Sequence, residues 1–136
     1  LGIAINPYGA LSRGLLSGHW SRERSAAGRD FRSHLPRFTG ENLERNLALV
    51  QELRRIAEEK DATVAQLAVA WVLARGEDVV PLVGARTRAQ LAESLGALDL
   101  ALTGADLARI DAAVPAGAAK GARYDAGQMA MLDSER

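Results

Sequence analysis

The chain has 136 residues, 48% of them apolar and 25% charged, with 17 Lys and Arg against 17 Asp and Glu. This neutral balance gives no electrostatic reason to bind nucleic acid, and no stretch approaches the ~20 apolar residues that cross a bilayer. Cysteine is absent, which excludes disulfides and thiolate metal sites, and the cytoplasm is the default compartment. The chain opens on Leu1-Gly2-Ile3 without an initiator Met, as expected of a piece of a longer protein.

Gly2 to Asn6 (GIAIN) is a short apolar run that reads as a buried strand, with Pro7 marking its exit because proline cannot donate to a sheet ladder. Tyr8-Gly9-Ala10-Leu11-Ser12-Arg13-Gly14 follows as a loop. Its mixture allows two readings. Tyr8 can stack on a flat ring while Gly9, Ser12 and Arg13 face phosphate oxygens, or the segment is a flexible loop with a half-buried tyrosine. His19 to Gly40 is polar and aperiodic and reads as a long irregular loop; its two histidines have no partner at metal-ligand spacing and are expected in solvent.

From Leu43 to Lys60, Leu43, Leu47, Val50, Leu53 and Ala57 recur at helical spacing, with Glu44, Gln51, Arg55 and Glu58 opposite them, so the spacing predicts an amphipathic helix. Asp61-Ala62 ends it. Thr63 with Gln66 forms a capping box for a helix over 64–75, which is apolar around most of its circumference and is expected to pack on two sides, with Trp71 in the core and Gly76 as its C′ residue. Val79, Val80, Leu82 and Val83 then read as a parallel strand covered on both faces. Gly84 ends the strand, and Thr87 with Gln90 signals another capping box, opening a helix whose buried stripe is Leu91, Leu95 and Leu98. The turn Gly84-Ala85-Arg86 puts close-approaching backbone and a cation at the positive end of a helix, an arrangement that suits a phosphate; the alternative is an ordinary turn with Arg86 in solvent. Thr103 caps a further helix to about Ala113, with Asp106 in its first turn, Leu102 and Leu107 as a staple, and Leu107, Ile110 and Val114 buried. Pro115 stops it. Ala116 to Arg136 is expected to be a tail laid over the surface, anchored at Arg123-Tyr124, Met129, Met131 and Leu132 and fraying at its end.

Two buried strands separated by helices imply an α/β architecture with parallel strands. Two strands cannot cover both edges of such a sheet, so its remainder is expected from outside these residues.

Four motifs in this order resemble the C-terminal part of an aldo-keto reductase, an NADP(H)-dependent (β/α)8 barrel. Tyr8 to Gly18 is similar to Y-S-P-L-x-R-G-x-L-T-G after strand seven, and Thr63 to Trp71 to T-P-A-Q-L-A-L-A-W in the next helix. Pro81 to Arg86 with Leu91 to Leu95 resembles P-I-P-G-T-R followed by L-x-E-N-L at strand eight, and Leu102 to Asp111 resembles L-T-x-E-D-L-x-x-I-D. The resemblance implies that residues 1–136 are one cofactor-binding part of a single barrel domain: its last two strands with their helices, extra helices and a tail. It implies that Tyr8 stacks on the nicotinamide, that Leu11, Ser12 and Arg13 lie along the pyrophosphate, that Arg86 meets the 2′-phosphate, and that Glu93 and Ser94 meet the adenine of NADPH or NADP+. With Gly9, Gly84, Ala85 and Gln90, these form the candidate cofactor set.

Gly9, Ala10, Ala85 and Ser94 stand where the family usually has Ser, Pro, Thr or Ser, and Asn; each change removes a hydrogen-bonding or stiffening group worth about 1 kcal/mol. No residue matches the family's Asp, Tyr, Lys and His tetrad, so the resemblance places catalysis upstream, in a missing N-terminal part that is this segment's partner. The implied function is reduction of a small carbonyl substrate, an aldehyde or ketone, by NADPH. The alternative is a non-catalytic nucleotide-binding or regulatory protein that keeps the cradle; a helical interaction module with incidental strands is a third reading. The tetrad upstream separates the first two. The long loop and tail are expected to set substrate choice.

Overall fold

The computed structural model describes residues 2–28 and 30–132. Its longest helix, α2 (Gly40–Glu58), follows α1 (Arg22–Ala26) and precedes α3 (Val64–Leu73), α4 (Arg88–Leu95), α5 (Gly104–Ala113) and the short α6 (Ala126–Met129). α2 buries Leu43, Val50, Leu53 and Ala57 as its spacing predicts, together with Ile56 and Asn46. It ends on Asp61, whose φ of 52° lets the Ala62 N–H reach back to the Ala57 carbonyl at 3.0 Å, the wrap that closes many helices. The Thr63/Gln66 box is complete in both directions, and so is the Thr103/Asp106 box of α5.

α2, α3 and α5 pack around Val50, Leu53, Ile56, Val64, Leu67 and Ile110. The other side of α3 buries Val69 and Ala70 with Ala97, and Leu11 and Val83 pack there. Burial on two sides is what an all-round apolar helix requires. It also seats the start of both candidate loops on one rigid element. Lys60 Nζ, 2.8 Å from the Asp106 carboxylate, fastens the end of α2 to the start of α5. Hydrogen bonds from Lys60 and then Thr103 hold that carboxyl well below the usual range.

Several expectations are corrected. The two apolar runs pair in parallel, Ile5 with Val79 and Tyr8 with Leu82, but Ile3, Ile5, Val80 and Leu82 are each more than half exposed. Only the Val79, Pro81 and Val83 side of the second run is half-buried, because the helices here cover one face of the pair. Pro7 does not end the pairing. It lacks the N–H that would meet the Val80 carbonyl, and the Asn6 side chain supplies it instead, Nδ2 donating to that oxygen at 2.5 Å while the Leu82 N–H donates to the Pro7 carbonyl at 2.9 Å. Leu91, Leu95 and Leu98 are exposed, since the stripe of α4 points away from the core formed by these residues. The Gln90 box is one-sided: Gln90 N–H donates to Thr87 Oγ1, but Gln90 Oε1 accepts from the Arg86 N–H at 2.9 Å.

Gly76 is no left-handed cap. α3 ends on Ala74 in right-handed geometry, and Gly76 is not among the positive-φ glycines. Trp71, Leu107 and Val114 are half-buried rather than buried. Trp71 Nε1 donates to Asp111 at 2.8 Å, and Arg75 lies 3.9 Å over its ring.

The described residues between His19 and Gly40 are not one irregular loop but carry α1 and 3-10 turns at Phe31–His34 and Pro36–Phe38. They contribute Trp20, Leu35 and Phe38 to the main core, the Trp20 and Phe38 rings meeting edge to face at 5.0 Å. Aromatic burial, with no helical periodicity to announce it, organises this segment. His19 and His34 are exposed. The tail crosses α2 and the Pro36 turn before α6; the expected fraying concerns 133–136, outside the described residues.

Candidate cofactor cleft

Parallel pairing sends both runs out at the same end of the molecule. Beyond the Tyr8–Leu82 pair the first run becomes the Gly9–Gly18 loop and the second becomes the Gly84–Arg86 turn. The two meet in a cleft of about 710 Å³, to which Gly9, Leu11, Arg13, Gly84, Arg86 and Gln90 contribute. Tyr8, Gly9, Ser12 and Arg13 line an adjoining pocket of about 350 Å³, so Arg13 and Gly9 stand on the divide between the two. Glu93 and Ser94 are half-buried along α4 and Ala85 is exposed in the turn; none of the three lines either cavity.

The first loop is held in an unusual shape. Ser12 and Arg13 have φ of 47° and 57°, and Gly14 of 91°, left-handed values that cost a non-glycine residue roughly 1 kcal/mol or more. Backbone bonds from Ser12 N–H to Gly9 O and from Gly14 N–H to Leu11 O, each 2.8 Å, fix it locally. Arg32 Nη1 donates to the Arg13 carbonyl at 2.6 Å from across the chain. A Cβ on Gly14 would stand 2.7 Å from that same nitrogen, so glycine here satisfies both the positive φ and the guanidinium above it.

Arg32 is itself fixed. It forks onto Asp30 at 2.8 and 2.5 Å and lies 4.5 Å over the Trp20 ring. The hydrogen bonds from Arg32, with its charge and that of Arg24, hold the Asp30 carboxyl far below the usual carboxylate range. A depressed native value contributes stability that is complete above the ordinary value of about 3.9 and is lost as the pH falls below it. Asp30→Asn is therefore expected to unfold at a lower temperature than the parent at pH 7, with the gap narrowing at about pH 2. Thermal melts at both pH values check this, and an unchanged gap would reduce Asp30 to packing alone.

With Asp30 committed, the cleft keeps a positive character. Arg86 has no ion pair among the described residues. Gln90 holds its backbone N–H and leaves its side chain to the cleft it lines. Two guanidinium groups from separate loops, a helix start and the Ser12 hydroxyl in the adjoining pocket suit an extended phosphorylated ligand, and the volume lies in the usual range for such sites. No groups that could hold a metal ion occur among the described residues, and no described helix is long and apolar enough to cross a membrane.

Two residues that shape this site were not assigned to it from the sequence, with Tyr124 expected only as an anchor of the tail. Tyr124 comes from the tail to hydrogen-bond Tyr8 and to lie under Arg13, whose guanidinium is 4.2 Å above its ring. The bond raises the pKa of Tyr8, while bonds from Tyr8 and then Arg13 lower that of Tyr124. Asn46, 1% exposed on α2, binds the long loop and the tail at once. Its Nδ2 donates to the Arg37 and Lys120 carbonyls, both at 2.9 Å, and its Oδ1 accepts from the Lys120 N–H at 2.8 Å. A polar residue inside the apolar stripe of α2 was the available signal.

A sequence profile described as the aldo/keto reductase family matches residues 1–115. Among curated relatives, a probable aldo-keto reductase of Glycine max is 42% identical over 124 residues, which cover 91% of this chain and 36% of that protein. An NADP(+)-designated aldo-keto reductase of Schizosaccharomyces pombe is 37% identical over 92% of this chain and 37% of its own length. The chain thus spans about a third of the length of the curated relatives it matches. Among solved structures, a glycerol dehydrogenase of Gluconobacter oxydans superposes with a TM-score of 0.73 at 34% identity, over 81% of this chain and 33% of that one.

Proposed function

The chain belongs to the aldo/keto reductase family, and on that premise we propose that it is the dinucleotide-holding part of an NADPH-dependent carbonyl reductase. Its parallel pair is read as the last two strands of a (β/α)8 barrel, whose sites form at the ends where the strands exit. The observation that carries the reading is that Arg13 and Arg86, on loops far apart in sequence, line one cleft at that end. Arg13 and Ser12 are assigned to the diphosphate, Arg86 to the 2′-phosphate, and Glu93 and Ser94 to the adenine along α4. Tyr8 offers its ring as a flat wall for the nicotinamide. When bound, the reduced dinucleotide supplies the hydride that an aldehyde or ketone accepts. This chain orients and holds; the proton donor to the carbonyl oxygen is assigned to residues outside it.

Arg86 tests the reading. A charge-assisted bond to phosphate is worth about 1.5–3 kcal/mol, so Arg86→Ala in the full protein is expected to raise the dissociation constant for NADPH roughly 10- to 100-fold and to leave that for NADH nearly unchanged. Fluorescence titration with both nucleotides measures this. Equal weakening of the two would remove Arg86 from the 2′-phosphate.

A further inference from the structure

Two groups assigned to the cofactor, Tyr8 and Arg13, meet the tail at one residue. The Arg13 backbone is clamped in its loop, with the carbonyl bound by Arg32, while its guanidinium lies 4.2 Å over the ring of Tyr124. Tyr8 is 72% exposed, so core packing does not set its ring, and its hydroxyl bonds that of Tyr124. All three residues line the smaller pocket, with Arg37 and Arg123 beside them.

Tyr124 is in turn placed by backbone ties. Asn46 holds both the carbonyl and the N–H of Lys120, and Arg37 Nε donates to the Gly121 carbonyl at 3.2 Å. Gly121 lies against the Pro36 carbonyl so closely that a Cβ would stand 2.7 Å from it. All of these fall just before Tyr124 in the chain, so the fold delivers its ring to the wall opposite Tyr8. Stacking occupies the face of a guanidinium and leaves N–H donors at its edge for an oxyanion. The ring therefore restricts Arg13 before any ligand arrives, and order that exists in advance is order that binding need not supply.

We propose that Tyr124 is a positioning residue for the dinucleotide: it sets the Arg13 guanidinium for the diphosphate and the Tyr8 ring for the nicotinamide, so that seating of the tail and binding of the cofactor strengthen each other. This rests on the cofactor reading above. Linkage is reciprocal, so whatever factor the seated tail adds to NADPH affinity, NADPH adds to the seating of the tail. The test uses the full protein, with nucleotide affinity read by fluorescence titration and tail seating by the rate of trypsin cleavage after Lys120 and Arg123. NADPH is expected to slow that cleavage roughly 10-fold in the parent. Tyr124→Leu is expected to abolish the protection and to weaken NADPH and NADH alike, by about 10-fold, since the diphosphate is common to both. Tyr124→Phe keeps the ring under Arg13 and should retain affinity and protection, but it loses the hydroxyl beside Tyr8 and should shift the emission of the bound nicotinamide. In an Arg13→Gln background, Tyr124→Leu should weaken binding no further. Parent affinity in Tyr124→Leu would overturn the proposal, as would full additivity with Arg13→Gln or a loss as large in Tyr124→Phe as in Tyr124→Leu. A loss confined to NADPH would overturn it too, by moving Tyr124 to the 2′-phosphate, and unchanged emission in Tyr124→Phe would remove its hold on Tyr8. If the parent binds neither nucleotide, the cofactor reading itself fails and this proposal with it, whereas binding that Tyr124→Leu leaves unmoved sinks the positioning role alone.

Discussion

Replacing Gly121 with alanine is expected to lower stability by about 2–4 kcal/mol and to free the tail. Its φ of 85° costs an L-residue roughly 1–2 kcal/mol. The added methyl would also meet the carbonyl carbon and oxygen of Pro36 at 2.7 Å and the Arg37 nitrogen at 2.9 Å. These are backbone atoms of the Pro36–Phe38 turn before α2 and cannot rotate aside, so overpacking adds about 1–3 kcal/mol. The strain is relieved when the tail lifts, which takes Arg123 and Tyr124 out of the pocket. Urea unfolding measures the first effect. Limited trypsin digestion measures the second, because Lys120 and Arg123 are themselves cleavage sites and should be cut many times faster. A variant with the parent's midpoint and the parent's digestion rate would disprove the close approach.

Asn46→Leu, a change of similar volume, should be nearly as costly. It leaves the Arg37 and Lys120 carbonyls and the Lys120 N–H without their partner, and each buried polar group so stranded costs about 1–3 kcal/mol. Apolar burial of the leucine and access of water to the tail return part of this, so a net loss of about 3 kcal/mol is expected from the urea midpoint. Asn46→Asp sharpens the test. The carboxylate keeps the bond from Lys120 but turns charge toward two carbonyl oxygens, which raises its native pKa. A raised carboxyl value means stability is lost as pH rises through the acid range, so Asn46→Asp should lie closest to the parent at low pH and fall away toward neutrality. A pH-independent difference would show that the two donated bonds contribute little.

Helix starts were the most legible part of this chain. Thr63 with Gln66 carries its whole geometry within four residues and forms the expected box, and Thr103 caps α5 as expected with Asp106 completing a box there, whereas the Thr87/Gln90 box formed on one side only. The stripe of α2 was legible for the same local reason. The coverage of Val80, Leu82, Leu91 and Leu95 was not, since alternation shows which side is apolar and says nothing of what lies across from it. The cleft was half legible. Arg13 and Arg86 stood out by their place after strand-like runs, but Tyr124, Arg37 and Asn46 reach the site only through contacts across long stretches of chain. Trp20 and Phe38 were hidden because burial there follows no period. The motif resemblance pointed to residues of the loops and assigned no role to any residue of the tail.

Two long ties in the molecule have one further consequence. Asn6 meets Val80 across 74 positions and Asn46 meets Lys120 across another 74, and the two spans interleave. Closing a flexible segment of that size costs about 4 kcal/mol in chain entropy, and distant pairings of this kind slow folding. During synthesis the first ring can shut once Val80 has left the ribosome, whereas the second must wait for Lys120. A polypeptide interrupted between the two would own the cleft at Arg86 and lack the wall that Tyr124 builds opposite Tyr8.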